Sequence, residues 1–88
     1  MKVSVSHAIG HEVRKLLVHT LWYSAEPLTA DVFWRGYCPH GTITVMTVKY
    51  HASQLALNGI IRICGERFVL AGPHSGDAVR LLRLAGAN

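Results

Sequence analysis

At Asn58-Gly59 the apolar residues of this chain change their spacing. Before that point Val45, Val48, Ala52 and Leu55 recur at steps of three and four, the repeat of one helical face. After it, Ile60-Ile61-Arg62-Ile63-Cys64 and Arg67-Phe68-Val69-Leu70 alternate, with Gly65-Glu66 between them. A two-residue loop with glycine first is a type II′ hairpin signal. That turn pairs Ile63 with Phe68 and Ile61 with Leu70 on one face, and Arg62 with Val69 and Cys64 with Arg67 on the other. One face is apolar and one mixed and basic, which is what a half-buried hairpin needs. A helix that stops at a left-handed Asn-Gly and runs into a hairpin restricts the chain to a small α+β fold.

Upstream, Ile9, Val13, Leu16, Leu17 and Leu21 predict an amphipathic helix over 7–23 with Ser6 as its N-cap. Ser24-Ala25-Glu26-Pro27 ends it, because proline lacks a backbone donor and disfavours helix in the residue before it. Thr29 then caps a short second helix, with Asp31 at its positive end and Val32, Phe33 and Trp34 as apolar contacts, closing near Gly36 or Tyr37. Cys38-Pro39-His40-Gly41 reads as a turn. Thr44 caps a third helix over about 44–58. Beyond the hairpin, the glycines between 72 and 76 break the strand, and a last helix over 77–85 carries Val79, Leu81, Leu82 and Leu84. Val3 and Val5 alternate like an edge strand. No repeat or linker-like tract divides the chain, so residues 1–88 are expected to form one domain.

Composition narrows the function. Half of the residues are hydrophobic and 16% are charged, the opposite of a disordered chain. The apolar stretches are interrupted by Arg14, Lys15, His19, Arg62 and Arg67, well short of the roughly 18 apolar residues of a membrane span. The N-terminal residues lack a secretion signal, and two cysteines form no disulfide framework, so a cytoplasmic protein with no membrane partner is expected. No phosphate loop, nucleophile elbow or carboxylate pair is visible, and five acidic residues leave little material for acid-base work, so neither an enzyme nor a cofactor is expected. Six histidines invite a metal reading, with His7 and His11 four apart and Cys38 and His40 flanking Pro39. Those spacings match no strong zinc signature, and ordinary surface and turn histidines explain them better. His74-Ser75 ahead of the last helix reads as a cap rather than an anion site.

Helix, short helix, turn, helix and hairpin is the order of a winged helix-turn-helix domain. The stretch from Thr44-Val45 through Lys49-Tyr50-His51-Ala52 and Leu55 to Gly59-Ile60-Ile61 resembles the recognition helix and following turn of small bacterial or phage transcription regulators of that family. Glu26-Pro27-Leu28-Thr29-Ala30 resembles the family's approach to its second helix, and the likeness covers about 12–70. Ala52 departs from the larger aliphatic residue usual there, which implies closer helix packing. The turn from Cys38 to Ile43 is longer than usual.

The resemblance implies a three-helix core, a two-stranded wing over 60–70 and sequence-specific binding of double-stranded DNA by a transcription regulator. An α-helix fits the major groove, where each base pair shows its own donor and acceptor pattern. Met46, Thr47, Lys49, Tyr50, Ser53 and Gln54 lie opposite the apolar stripe of the third helix, with Thr44 at its start. Gln54 suits adenine, Met46 a thymine methyl, Thr47 and Ser53 bases or phosphates, and Lys49 and Tyr50 the backbone. Arg62 and Arg67 of the wing suit phosphates or a minor groove, and the net charge of +4 favours a polyanion. A homodimer is expected, since one short helix reads few base pairs, and the termini are its candidate interface. The competing expectation is a winged-helix module that binds protein, since Lys49 is the only formal charge on the third helix and Trp22, Tyr23, Trp34 and Tyr37 offer contact area.

Overall fold

In a computed structural model of the chain, residues 4–24, 28–37 and 43–84 are described. The expected first helix is two helices: α1 spans Val5–Ala8 and α2 spans Glu12–Tyr23. Ser4, not Ser6, caps α1, its hydroxyl accepting from the His7 N–H at 3.2 Å. The chain turns at Ile9 and Gly10, where the Gly10 N–H closes back on the His7 carbonyl. It then restarts at His11, which is extended and caps α2 by accepting from the Val13 N–H through Nδ1 at 3.1 Å. The four-residue step from Ile9 to Val13 spans this break without disturbing the apolar rhythm. Leu17, Val18 and Leu21 form the buried stripe of α2, whereas Leu16 turns outward and stays about a third exposed. Val5 is helical and not part of a strand, and Met1 to Val3 lie outside the described residues.

Strand β1, Leu28–Thr29, leads directly into α3, Ala30–Tyr37. Thr29 serves both: its backbone pairs with Arg67 while its hydroxyl accepts from the Val32 N–H at 3.2 Å. Asp31 and Arg35 pair along α3, and the Trp34 indole donates to the Ile43 carbonyl at 2.9 Å, tying α3 to the segment before α4. The turn expected at Cys38 to Gly41 lies outside the described residues, as does Glu26-Pro27.

Helix α4 is Val45–Leu57, capped by Thr44 as the sequence predicts, with the Thr47 N–H 3.3 Å from its hydroxyl oxygen. Its inner face buries Val48, His51, Ala52 and Leu55, and Gly59 at φ 74° ends it. Strands β2, Arg62–Cys64, and β3, Arg67–Val69, take the expected register, Arg62 opposite Val69, Ile63 opposite Phe68 and Cys64 opposite Arg67. Gly65 at φ 65° supplies the positive φ of a primed turn. The strands are shorter than the apolar runs that announced them. Instead of two strands the sheet has three, in the order β1-β3-β2, because Leu28 pairs with Phe68 on the far side of the hairpin.

Helix α5, Ser75–Leu84, starts two residues before the expected point and packs on α1 and α2. Ala78, Val79 and Leu82 are buried there, so its apolar residues complete the core of one chain. Phe33, Leu17, Leu55, Ile60, Val18 and Val48 are the largest fully buried side chains, drawn from α2, α3, α4 and the run into β2. The result is a mostly helical α+β domain, compatible with a winged helix. No helix among the described residues is long and apolar enough to cross a membrane.

Candidate functional site

The outer face of α4 carries the side chains expected to meet a partner. Burial of Val48, Ala52 and Leu55 at helical spacing turns the opposite stripe outward. Met46 is 70% exposed and Tyr50 57%, large apolar groups held in water beside the exposed Lys49 and Ser53. Thr44 is exposed, while Thr47 and Gln54 sit half-buried at the edges of the stripe. Three of these groups are partly committed locally. The Ser53 hydroxyl donates to the Lys49 carbonyl at 2.9 Å, and Thr44 and Thr47 hydroxyls lie 3.3 Å apart at the helix start. The backbone carbonyl of Gln54 accepts from the Asn58 side chain at 2.8 Å, which leaves the Gln54 amide itself unclaimed by that bond.

A cleft of about 570 Å³ separates α4 from the hairpin. Val45, Lys49 and Ser53 line its α4 wall, Ile63, Phe68 and Glu66 its hairpin wall, and Asp31 its end at the start of α3. Ile63 and Phe68 face α4 across this cleft, so the alternation of strands puts Arg62 and Arg67 on the opposite side of the hairpin. The structure therefore joins Lys49 and Ser53 to the hairpin tip and separates Arg62 and Arg67 from them. Both arginines are exposed, and like Lys49 they form no ion pair with another described residue. Asp31 is occupied by Arg35, which leaves Glu66 as the carboxylate at the cleft mouth without an ion-pair partner among the described residues.

Behind this face lies a group that the sequence reading passed over. His51 is only 6% exposed; its Nδ1 accepts from Arg14 Nε at 2.9 Å, and its ring packs against His11 with centroids 4.1 Å apart. Burial, then the neighbouring His11 and Arg14, push its pKa down from 6.5 to about 4. The signal was present: Val48, His51, Ala52 and Leu55 fall at i, i+3, i+4 and i+7, so one polar residue sits on a core stripe.

Trp22 and Tyr23 are exposed at the end of α2, the Tyr23 ring tilted 50° to that of His19 with centroids 4.8 Å apart, while Trp34 is half-buried against the core. The side chain of Tyr37 lies outside the description. Cys64 is an exposed free thiol on β2, and Cys38 and His40 lie outside the described residues. His7 and His11, expected on one helix, are separated by the break after α1. At the start of α5 the Ser75 hydroxyl donates to the Gly72 carbonyl at 3.1 Å, and the His74 carbonyl accepts the first helical bond, from the Ala78 N–H. No family model, curated protein or solved structure matches this chain significantly.

Proposed function

We propose that this chain is a winged-helix regulator that reads duplex DNA with α4 in the major groove and the hairpin on the flanking backbone or minor groove. The observation that carries the reading is the division of α4 into a buried stripe and an outward stripe of Met46, Lys49, Tyr50 and Ser53 next to a projecting hairpin. A helix of about four turns presents such a stripe over a length that spans one groove face. Lys49, Arg62 and Arg67 supply cations for phosphates, and Met46, Tyr50 and Gln54 supply apolar and amide contacts for base edges. The order of helix, short helix, helix and hairpin supports the winged-helix reading, with β1 as a third strand on the hairpin.

A single recognition helix reads few base pairs, so the regulator acts as a homodimer on paired half-sites in the cytoplasm. With α5 buried in its own core, the outward patch of Leu16, Trp22 and Tyr23 on α2 is the better dimer face. The same patch, together with the single formal charge on α4, favours a second reading, a winged-helix module that binds another protein.

Fluorescence anisotropy separates the two. The protein is titrated into a duplex from its own upstream region and into a scrambled duplex over a series of salt concentrations. Tighter binding to the upstream duplex with a negative salt slope is expected, because phosphate contacts release counterions. Absence of binding to either duplex at low salt would transfer the proposal to the protein-binding module.

A further inference from the structure

Among the buried residues of α4, Val48, His51, Ala52 and Leu55, only His51 is polar, and it contacts Arg14 and His11 at the start of α2 and Tyr50 on α4. Arg14 donates from Nε to His51 Nδ1 at 2.9 Å and from Nη1 to the Ala8 carbonyl at 3.1 Å, so one guanidinium ties the end of α1 to α4 through α2. His11, whose Nδ1 caps α2, lays its ring over His51 at 4.1 Å and 31°. Toward solvent, the Tyr50 ring stands edge-on to His51 with centroids 5.2 Å apart at 67°.

Apolar burial at Val48, Ala52 and Leu55 is non-directional and tolerates a small roll of the helix. A hydrogen bond does not, because it weakens steeply as it bends. We propose that Arg14, His11 and His51 form a brace that fixes the roll of α4 and so sets where Tyr50 and its outward neighbours meet a duplex. The three are positioning residues, and their functional part rests on the proposed reading of the α4 face.

The chemistry of the contact makes the brace testable. A guanidinium donates only to an unprotonated Nδ1, so the proton of neutral His51 is on Nε2. Adding a proton at Nδ1 replaces the acceptor with a second donor facing a permanent cation. Among the described residues, the titratable and charged groups in contact with His51 are His11 and Arg14 from the start of α2 and Tyr50 from α4 itself. Burial and the two basic neighbours hold its pKa near 4, so the brace is closed at neutral pH and acid opens it.

The test is NMR on the full chain from about pH 7.5 to 3.5, a range that brackets both the ordinary and the depressed histidine titration. At neutral pH the imidazole nitrogen shifts of His51 should report the Nε2–H tautomer. On acidification the Tyr50 ring and Met46 methyl signals should move with the His51 midpoint while the core methyls of Leu17 and Val79 stay in place. His51→Gln keeps an acceptor for Arg14 without titrating and should abolish the movement, whereas His51→Leu should displace the Tyr50 signals already at neutral pH. In the anisotropy assay His51→Leu should cut the preference for the upstream duplex about tenfold, the scale of one lost base contact, and His51→Gln should restore it. Tyr50 signals that ignore the His51 titration, or that move only together with the core methyls, overturn the brace. A wild-type chain that binds neither duplex overturns the DNA reading, and the NMR result still decides the brace.

Discussion

Gly72 packs against Gly59 so closely that a Cβ on Gly72 would stand 2.5 Å from the Gly59 carbonyl oxygen. The same carbonyl accepts from the His74 N–H at 2.8 Å, so the end of α4 and the approach to α5 are joined backbone to backbone. Gly72 is also held at φ 138°, which L side chains rarely adopt. Gly72→Ala therefore meets backbone that cannot yield as well as an unfavourable φ, and should cost about 3 kcal/mol or more. Gly76→Ala, in α5 with open space around it, is the control and should stabilise by roughly 0.5–1 kcal/mol. Urea unfolding of both variants checks this; wild-type stability in Gly72→Ala would mean the two segments are not apposed.

The stability of the domain should fall in acid on account of His51. Its pKa in the folded chain is about 4 against an ordinary 6.5, so the unfolded chain binds the proton more readily. Stability from this group is complete above about pH 6.5, declines as pH falls toward about 4, and loses no more below that, a total of about 3 kcal/mol. Unfolding free energies measured across that window should flatten in His51→Gln. An equally steep profile in the variant would assign the acid loss to other groups.

Local chemistry carried most of what the sequence could tell. The Thr29 and Thr44 caps, the Asn58-Gly59 stop and the Ile63–Phe68 register follow from residues within a few positions of one another, and they stand in the structure as expected. Three features were harder to read, two of them because they depend on contacts distant in sequence. Strand β1 exists because Leu28 and Thr29 meet Phe68 and Arg67, and two residues have no alternation to detect. The break between α1 and α2 is made by the imidazole of His11, an uncommon cap, at a point where the apolar rhythm runs on. His51 was legible as a polar residue on a core stripe, but its partners Arg14 and His11 were not, since 37 and 40 positions separate them from it. For the candidate site, the outward stripe of α4 was readable from period alone. The register also put Arg62 and Arg67 on the face opposite Ile63 and Phe68, but the cleft that the apolar face forms with Lys49 and Ser53 was not readable, because it depends on how the hairpin packs on α4.

Glu66 should oppose duplex binding. Glu66 lines the same cleft as Lys49, where a phosphate backbone held between α4 and the hairpin would approach. Neutralising it in Glu66→Gln should tighten binding to the upstream and scrambled duplexes alike, by a few-fold at low salt and less as salt screens the exposed charge. Equal affinities for wild type and variant at the lowest salt would mean that the backbone does not pass this edge.

Lys49, Gln54 and the two hairpin arginines should separate by what they change. Lys49 is exposed and free of ion pairs with described residues, so Lys49→Ala should weaken every duplex alike and lower the salt slope by about one. Gln54 carries no charge, and its side chain lies at the edge of the outward stripe, so Gln54→Ala should reduce the preference for the upstream duplex more than the affinity for the scrambled one. Arg62 and Arg67 stand across the hairpin from the cleft, and their joint replacement by alanine should lower the salt slope without altering sequence preference. Anisotropy over a salt series on both duplexes reads all three effects. A salt slope unchanged by the double arginine variant would take the hairpin off the phosphate backbone. Binding untouched by both Lys49→Ala and Gln54→Ala would remove α4 as the reader.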